Sequence, residues 1–311
     1  TVEIPLSFFE VNGRPVSYQK AQTMFSENPK NHWAAYIAGA FLVLMREMNI
    51  DFRTGVRMLI HSYVPEGKGV SSSAALEVAS MQAIAAAYDI NLEPRKLAAL
   101  CQKVENQVVG APCGIMDQMT SACGRAHQLL ALLCQPAQLE GFVNIPPELA
   151  VWGIDSGIRH SVSGSNYSSV RIGAFMGYRI IADIMNLNVQ FKTNEEPVKI
   201  EDSLWNGYLA NISPSEFAMN FADWLPQELN GADFERKYGN ISDVVTKINP
   251  NQSYPVLKPT AHPIYEHFRV RAFRELLHNE LNEKNLTLLG ELMYQSHASY
   301  SACGLGSSGT D

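Results

Sequence analysis

The sequence has no apolar run long enough to cross a membrane and no cluster of basic residues. Its longest apolar run near the start, AAYIAGAFLVLM at residues 34–45, has about twelve residues, whereas a membrane-spanning helix needs about twenty. The net charge is -7, and no run of Lys or Arg offsets it, which argues against a nucleic-acid partner. The first residues, TVEIPLSFFEV, have neither the basic region nor the cleavage site of a secretory signal. We therefore expect neither a membrane nor a nucleic acid as partner.

Cysteines are few and lack any paired spacing. There are 5 of them, an odd number without a Cys-x-x-Cys pair, which is typical of reduced, mostly buried thiols and predicts a cytoplasmic protein. Apolar residues make up 46% and charged residues 18% of the 311 positions, as in ordinary globular proteins. A chain of this length is long enough for two domains with cores of their own.

The hydrophobic periodicity alternates between the two kinds of secondary structure. It predicts helices at residues 31–49, 72–88, 94–109, 262–281 and 284–299, and strands at residues 52–64 and 128–134. Pro146 and Pro147 mark the best candidate boundary, because a further apolar strand, LAVWGID, begins just after them. Residues 187–260 are rich in Pro, Asn and acidic residues, and we expect them to lie mostly on the surface.

A Gly-rich turn joins three serines and an Ala-rich helix in PEGKGVSSSAA, residues 65–75. One interpretation is an ordinary helix N-cap with spare hydroxyls. The other is a phosphate cradle, because glycines let the backbone approach a ligand and a helix N-terminus attracts anions. The Walker-type P-loop pattern does not fit, since Lys68 precedes the second glycine.

Four segments together resemble the galactokinase branch of the GHMP kinases. PEGKGVSSSAALEVA is similar to the second motif of that family. ENQVVGAPCGIMDQMTSACG resembles the segment that presents an aspartate to the sugar, and DSGIRHSVSGSNYSSVR resembles the segment that places a tyrosine near it. HWAAYIAG is similar to the stretch that holds the adenine. Within this branch, the chain most resembles kinases that act on L-arabinose.

The resemblance implies a two-domain α+β kinase fold with the active site between the domains. Residues 1–148 would form the N-terminal, ATP-binding domain and residues 149–311 the C-terminal domain. The family's first motif, which carries an arginine, and its Gly-rich third motif are expected before Thr1 and after Asp311, so that both domains are truncated at those ends. The implied cofactors are ATP and Mg²⁺, the implied partners are ATP and a small-molecule sugar, and the oligomeric state stays open.

The resemblance also assigns roles to individual residues. Asp117 would be the catalytic carboxylate, and Gly114 and Tyr167 would contact the sugar with it. Glu105 and Ser72 would hold the metal ion. The ATP-binding residues would be Trp33 and Tyr36 at the adenine and Gly67, Gly69, Ser71, Ser72 and Ser73 at the phosphates.

Each assignment has an alternative in ordinary structure. Asp117 could cap a helix, Glu105 could lie on a solvated helix face, and Trp33 could belong to the core. Arg159 and His160 are interpreted as structural rather than catalytic. The alternative substrate is D-galactose, whose stereochemistry L-arabinose largely repeats without the C6 hydroxymethyl group. A non-catalytic, sugar-sensing relative is the alternative of a different class.

Overall fold

The computed structural model describes residues 1–158, 165–191 and 196–311. Contacts between backbone positions divide the chain into two compact units. The first contains Thr1–Phe142, and the second contains Val143–Ser156 and the described residues from position 165 onward. The predicted boundary between two kinase domains, after residue 148, stays a prediction.

Helices dominate the first unit. They are α1 (Tyr18–Ser26), α2 (Ala35–Met48), α3 (Ser72–Ala87), α4 (Pro94–Lys103) and α5 (Met116–Cys123), with a π-helix at Val104–Val109 and 3₁₀ turns at Leu6–Phe9 and Pro29–Ala34. The strands form two pairs, β1 (Glu10–Val11) with β2 (Arg14–Pro15) and β3 (Gln128–Leu133) with β4 (Gln138–Asn144). The predicted helices at 31–49, 72–88 and 94–109 and the strand at 128–134 are confirmed, with ends shifted by a few residues.

The core of the first unit lies where α2, α3 and α4 pack together. Helix α3 forms because its sequence, SSAALEVASMQAIAAA, consists mainly of good helix formers. Helix α4 begins at Pro94, and the carboxylate of Glu93 accepts hydrogen bonds from the first backbone N–H groups. Gly39 lets α2 approach the π-helix closely, because an added Cβ would lie 2.9 Å from Cγ1 of Val104. Helix α2 thereby packs against both α3 and the π-helix.

Two predicted strands are wrong. Residues 52–64 and 149–155 adopt no strand in the structure, and no strand among the described residues pairs with either segment. Several of their apolar side chains are exposed instead: the exposed fraction is 96% for Leu59, 91% for Tyr63 and 85% for Trp152. Local composition favoured a strand in both places, but a strand is stabilised by the partner across the ladder, which the local pattern does not reveal.

The second unit is also mostly helical. Its helices are α6 (Ser165–Ile184), α7 (Pro214–Asn220), α8 (Gly231–Tyr238), α9 (Leu257–Leu277) and α10 (Glu283–Ala302), and its strand pairs are β5 (Asn188–Gln190) with β6 (Lys199–Glu201) and β7 (Glu228–Asn230) with β8 (Ser253–Pro255). Helix α6 packs closely on α9, because Gly177 has no Cβ to clash with the Thr260 hydroxyl. The predicted helices at 262–281 and 284–299 are confirmed, although α9 begins five residues earlier.

Most described residues of the segment 187–260 are exposed or partly exposed, as expected, but the segment also contributes to a core. This segment supplies large buried side chains to the core of the second unit, namely Trp205, Leu209, Ile212, Phe217, Phe221, Leu225, Phe234, Tyr238, Ile241, Tyr254 and Val256. In the part of the chain that the structure describes, no helix is both long and apolar enough to cross a membrane.

Candidate active site

The Gly-rich turn before α3 has the backbone geometry of a ligand cradle. Gly67 and Gly69 have φ angles of 71° and 69°, and Ser71 has a φ of 61° although it carries a side chain. Ser71 occupies the N-cap position of α3, but its side chain makes no capping hydrogen bond. The first N–H groups of a helix have no partner within the helix. The structure therefore does not support the ordinary N-cap interpretation, and it leaves the positive end of the α3 dipole open to an anion.

Glu105 lies on the π-helix that continues α4. The wide π-helical turn ends at Gly110, whose φ is 82°, and the backbone N–H groups of Gly110 and Ala111 both donate to the Glu105 carbonyl oxygen at 3.0 Å. The Glu105 side chain is 3% exposed, so the interpretation as a solvated helix-face residue is wrong. Single π-helical turns within α-helices occur frequently at functional sites.

A hydroxyl and a thiol lie near the Glu105 carboxylate. Ser73, in the first turn of α3, and Cys113 are close enough to it to favour its charged form. Burial acts in the opposite direction and more strongly, and the negative charge of Asp117 adds to it, so that the pKa of Glu105 is raised. The serine that interacts with Glu105 is therefore Ser73. The resemblance had assigned its neighbour Ser72 to the metal ion together with Glu105.

A second buried glutamate lies next to Glu105. Glu77, one turn after Ser73 on α3, is 1% exposed, and its pKa is raised well above the usual range by burial and by the charge of Glu105. The side-chain amide of Gln118 donates to both carboxylates, at 2.6 Å to Oε2 of Glu105 and at 3.1 Å to Oε2 of Glu77. Sequence reasoning missed Glu77 and Gln118. The available signal was a lone acid within the apolar run AALEVAS, which predicts a buried and therefore partnered carboxyl group.

Asp117 lies in the first turn of α5, directly before Gln118. It is half-buried, and its charge contributes to raising the pKa of both Glu77 and Glu105, which places it close to them. Gly114 is exposed, and an added Cβ there would meet nothing within 4 Å. The structure thus brings Asp117, Glu105 and Ser73 together within the first unit.

The loop before α5 is tied to the π-helix through Asn106. The backbone N–H of Cys113 donates to Oδ1 of Asn106 at 2.8 Å, and the Asn106 amide donates to the Cys113 carbonyl at 3.4 Å. Gln102 on α4 donates to the same carbonyl at 3.3 Å. These bonds fix the path of the chain from Glu105 to Asp117.

The two aromatic residues predicted at the adenine occupy different environments. Trp33 is 47% exposed, in the 3₁₀ turn before α2, as a stacking residue needs to be. Tyr36 packs against the apolar core, and burial together with the charges of Glu105 and Glu77 raises the pKa of its hydroxyl. Adenine binding by these residues stays a prediction.

Tyr167 lies in the first turn of α6, in the second unit, and is half-buried. One turn later on the same helix, Arg171 forms a bidentate ion pair with Asp243, with distances of 2.7 Å and 2.8 Å. This pair fixes the part of α6 that carries Tyr167. Arg159 and His160, which the sequence indicated as structural, lie outside the described residues.

A model of a known protein family matches part of the first unit. Residues 35–125 match the model of the GHMP kinases N terminal domain. Over this segment, the chain is similar to a GHMP kinase N-terminal domain. The segment includes α2, α3, the π-helix and α5, and so contains Glu105, Asp117 and the serines of α3.

Two relatives extend the comparison beyond this domain. L-arabinokinase of Arabidopsis thaliana is 49% identical to the chain over 323 aligned positions, which cover 100% of this chain and 31% of that protein. A crystal structure of Lactococcus lactis galactokinase complexed with galactose matches with a TM-score of 0.58 and 23% identity, over 86% of this chain and 56% of the galactokinase. The chain therefore has a mixed α+β fold like that of galactokinase, is related to an L-arabinokinase, and spans less than a third of the length of that protein.

Proposed function

We propose that the protein containing this chain is an ATP- and Mg²⁺-dependent sugar kinase that phosphorylates L-arabinose at its anomeric hydroxyl. The products are L-arabinose 1-phosphate and ADP. The observation that carries the proposal is the convergence of Asp117, Glu105 and Ser73 at the open N-terminus of α3. Kinases of this family use ATP, and the proposed arrangement places ATP and sugar between two domains.

The ATP phosphates would lie against the N-terminus of α3. Gly67 and Gly69 let the backbone approach them, and Ser71, Ser72 and Ser73 offer hydroxyl groups together with the free N–H groups of the helix. The Ser71 hydroxyl is not used for capping, so it is available to a phosphate oxygen. These groups stabilise the negative charge on the phosphates without being reoriented during the reaction.

The oxygen atoms around Glu105 fit a magnesium ion. The Glu105 carboxylate and a serine hydroxyl, that of Ser73 or its neighbour Ser72, are hard oxygen ligands, and Oε1 of Glu77 nearby is buried without a hydrogen-bond partner. Among the described residues, no group of three or more His, Cys, Asp or Glu could hold a metal alone. Mg²⁺ is usually held by one or two carboxylates together with substrate phosphates and water. The bound ion would neutralise charge on the phosphates.

Asp117 would act on the anomeric hydroxyl of the sugar. Its carboxylate accepts the hydroxyl proton or orients the O–H bond while the sugar oxygen bonds to the γ-phosphorus and the bond from that phosphorus to the ADP oxygen breaks. Gly114 leaves open space beside Asp117 for the sugar, and Tyr167 would add a further contact to the sugar. Most of the rate acceleration comes from positioning and charge stabilisation, since phosphoryl transfer needs little covalent chemistry.

L-arabinose is proposed over D-galactose because of the identity of 49% with an arabinokinase over the full chain, against 23% with a galactokinase. The test uses protein from the complete reading frame and measures ADP formation with L-arabinose, D-galactose, D-galacturonate and D-glucuronate. The proposal requires the highest kcat/KM with L-arabinose. Preferred turnover of D-galactose would contradict the substrate assignment but remain consistent with the mechanism. Sugar binding without ADP formation would indicate a sensor.

A further inference from the structure

Gln118 connects three elements of the first unit through one side-chain amide. It is 0% exposed and follows Asp117 on α5. Its amide nitrogen donates at 2.6 Å to Glu105 on the π-helix and at 3.1 Å to Glu77 on α3, and lies 3.8 Å from Sγ of Cys113. A primary amide has two N–H donors, so each buried carboxylate receives one of them.

The Gln118 amide donates hydrogen bonds to two buried carboxylates, which an apolar side chain could not do. Two carboxyl groups buried side by side repel each other when charged, and a buried charge without a hydrogen-bond donor is strongly unfavourable. Gln118 supplies a donor to both without adding charge. Its replacement by an apolar side chain of similar size would leave Glu77 and Glu105 with one donor fewer each.

The same amide restricts the orientation of α5. Successive residues on a helix point about 100° apart, so anchoring Gln118 towards Glu77 and Glu105 fixes the direction in which Asp117 projects. Among the described residues, the oxygen of the Gln118 amide has no hydrogen-bond partner, so the hydrogen bonds of this side chain run through its nitrogen. A shift of α5 would move Asp117 relative to Glu105.

We infer that Gln118 is a positioning residue, whose amide holds Glu105 in place for the metal ion and Asp117 in place for the sugar hydroxyl. The inference rests on the proposed function, because it assigns Gln118 to the same site. It goes beyond that function by coupling metal affinity and turnover through one residue that contacts neither ATP nor sugar. Removing a partner of a metal ligand typically costs 10–100-fold in metal affinity, and a misplacement of about 1 Å of a reacting group can cost about 10²-fold in rate.

The test compares Gln118→Met with wild-type full-length protein. We expect kcat to fall about 10²-fold, and the Mn²⁺ concentration for half-maximal binding in the presence of ADP, followed by electron paramagnetic resonance, to rise about tenfold. The matched control is Gln82→Met, at an exposed position of α3, which should change neither quantity. Thermal unfolding of each variant separates these effects from loss of folded protein.

A rescue variant distinguishes positioning from simple packing. In Glu77→Gln combined with Gln118→Met, the new amide at position 77 can donate to Glu105, so Mn²⁺ affinity should recover relative to Gln118→Met alone. If Gln118→Met does not fold, Gln118→Asn replaces it in the test. Its shorter side chain moves the amide donor away from Glu77 and Glu105, so kcat and Mn²⁺ affinity should again fall.

Three outcomes would overturn the inference. They are wild-type kcat and Mn²⁺ affinity in the folded Gln118 variants, a loss of thermal stability alone, and a loss of Mn²⁺ affinity that the rescue variant does not reduce at all. An inactive wild-type protein would instead contradict the proposed function, so the two failures are distinguishable.

Discussion

The side-chain amide of Gln118 donates a hydrogen bond of 2.6 Å to the carboxylate of Glu105, which lies 13 positions earlier in the chain. This bond joins the first turn of α5 to the π-helix, and the Ser73 hydroxyl extends the connection to the N-terminus of α3. The proposed catalytic carboxylate, the candidate metal ligand and the candidate phosphate cradle are thereby held in one arrangement. The predictions below test its parts separately.

Replacing Asp117 with Asn should remove most of the activity without disturbing the fold. The side chain keeps its size but can no longer accept the proton of the sugar hydroxyl, so we expect kcat to fall by about 10²–10⁴-fold. Thermal unfolding and nucleotide binding should stay near wild type. The matched control is Asp89→Asn, at an exposed position with a φ of 53° that Asn adopts readily, and equal losses in the two variants would contradict the role of Asp117.

Ser71→Gly should change stability and ATP binding in opposite directions. Its φ of 61° is unfavourable for a residue with a Cβ, so Ser71→Gly should raise the free energy of unfolding by up to about 1 kcal/mol. The same change removes a hydroxyl proposed to bind phosphate, and KM for ATP should rise. Ser71→Ala should also raise KM for ATP while keeping the strain. The measurements are urea unfolding and steady-state kinetics, and an unchanged KM in both variants would exclude Ser71 from ATP binding.

The buried carboxyl of Glu77 should make stability depend on pH. Its folded pKa lies well above the usual 4.5 because of burial, so the folded state holds the proton more tightly than the unfolded chain does. The stabilisation is complete below pH 4.5 and is lost as the pH rises through the folded pKa.

Comparison of Glu77→Gln with wild type isolates this effect. Between pH 5 and pH 8, the difference in free energy of unfolding should move in favour of the variant by more than about 1 kcal/mol. Urea unfolding at several pH values measures it, with Glu27→Gln, at an exposed position, as the matched control. A pH-independent difference for Glu77→Gln would contradict the burial argument.

The ion pair between Arg171 and Asp243 should contribute strongly to the second unit. Arg171 donates to both carboxylate oxygens of Asp243, which also accept from Thr246. Asp243→Asn leaves the guanidinium without its charged partner and should cost about 3 kcal/mol in free energy of unfolding near neutral pH.

The exposed pair between Asp233 and Arg236 supplies the control for this prediction. Asp233→Asn should cost no more than about 1 kcal/mol, since exposed ion pairs contribute little. Burial raises the pKa of Asp243, but the bonds and charge of Arg171, with hydrogen bonds from Thr246 and Val245, outweigh it and lower the pKa. The wild-type advantage should therefore shrink as the pH falls below about 4. Similar losses of free energy of unfolding in Asp243→Asn and Asp233→Asn would contradict the larger contribution of the buried pair.

The sequence predicted the helices of the site better than its polar interior. Helix α3 and the end of α4 follow from local propensity and from apolar spacing, which neighbouring residues determine. The pairing of Gln118 with Glu77 spans 41 positions, and nothing in the local pattern of either residue indicates the other. The strand predicted at residues 52–64 failed for the same physical reason, because strand formation depends on a partner elsewhere in the chain.

Product analysis tests the central claim most directly. Full-length protein, ATP, Mg²⁺ and L-arabinose are incubated, and the phosphorylated sugar is examined by phosphorus and proton NMR, with Asp117→Asn in parallel. The account predicts a sugar phosphate whose phosphorus couples to the proton on C1, formed by the wild type and almost absent with the variant. Phosphate on another carbon, or equal product from Asp117→Asn, would contradict it.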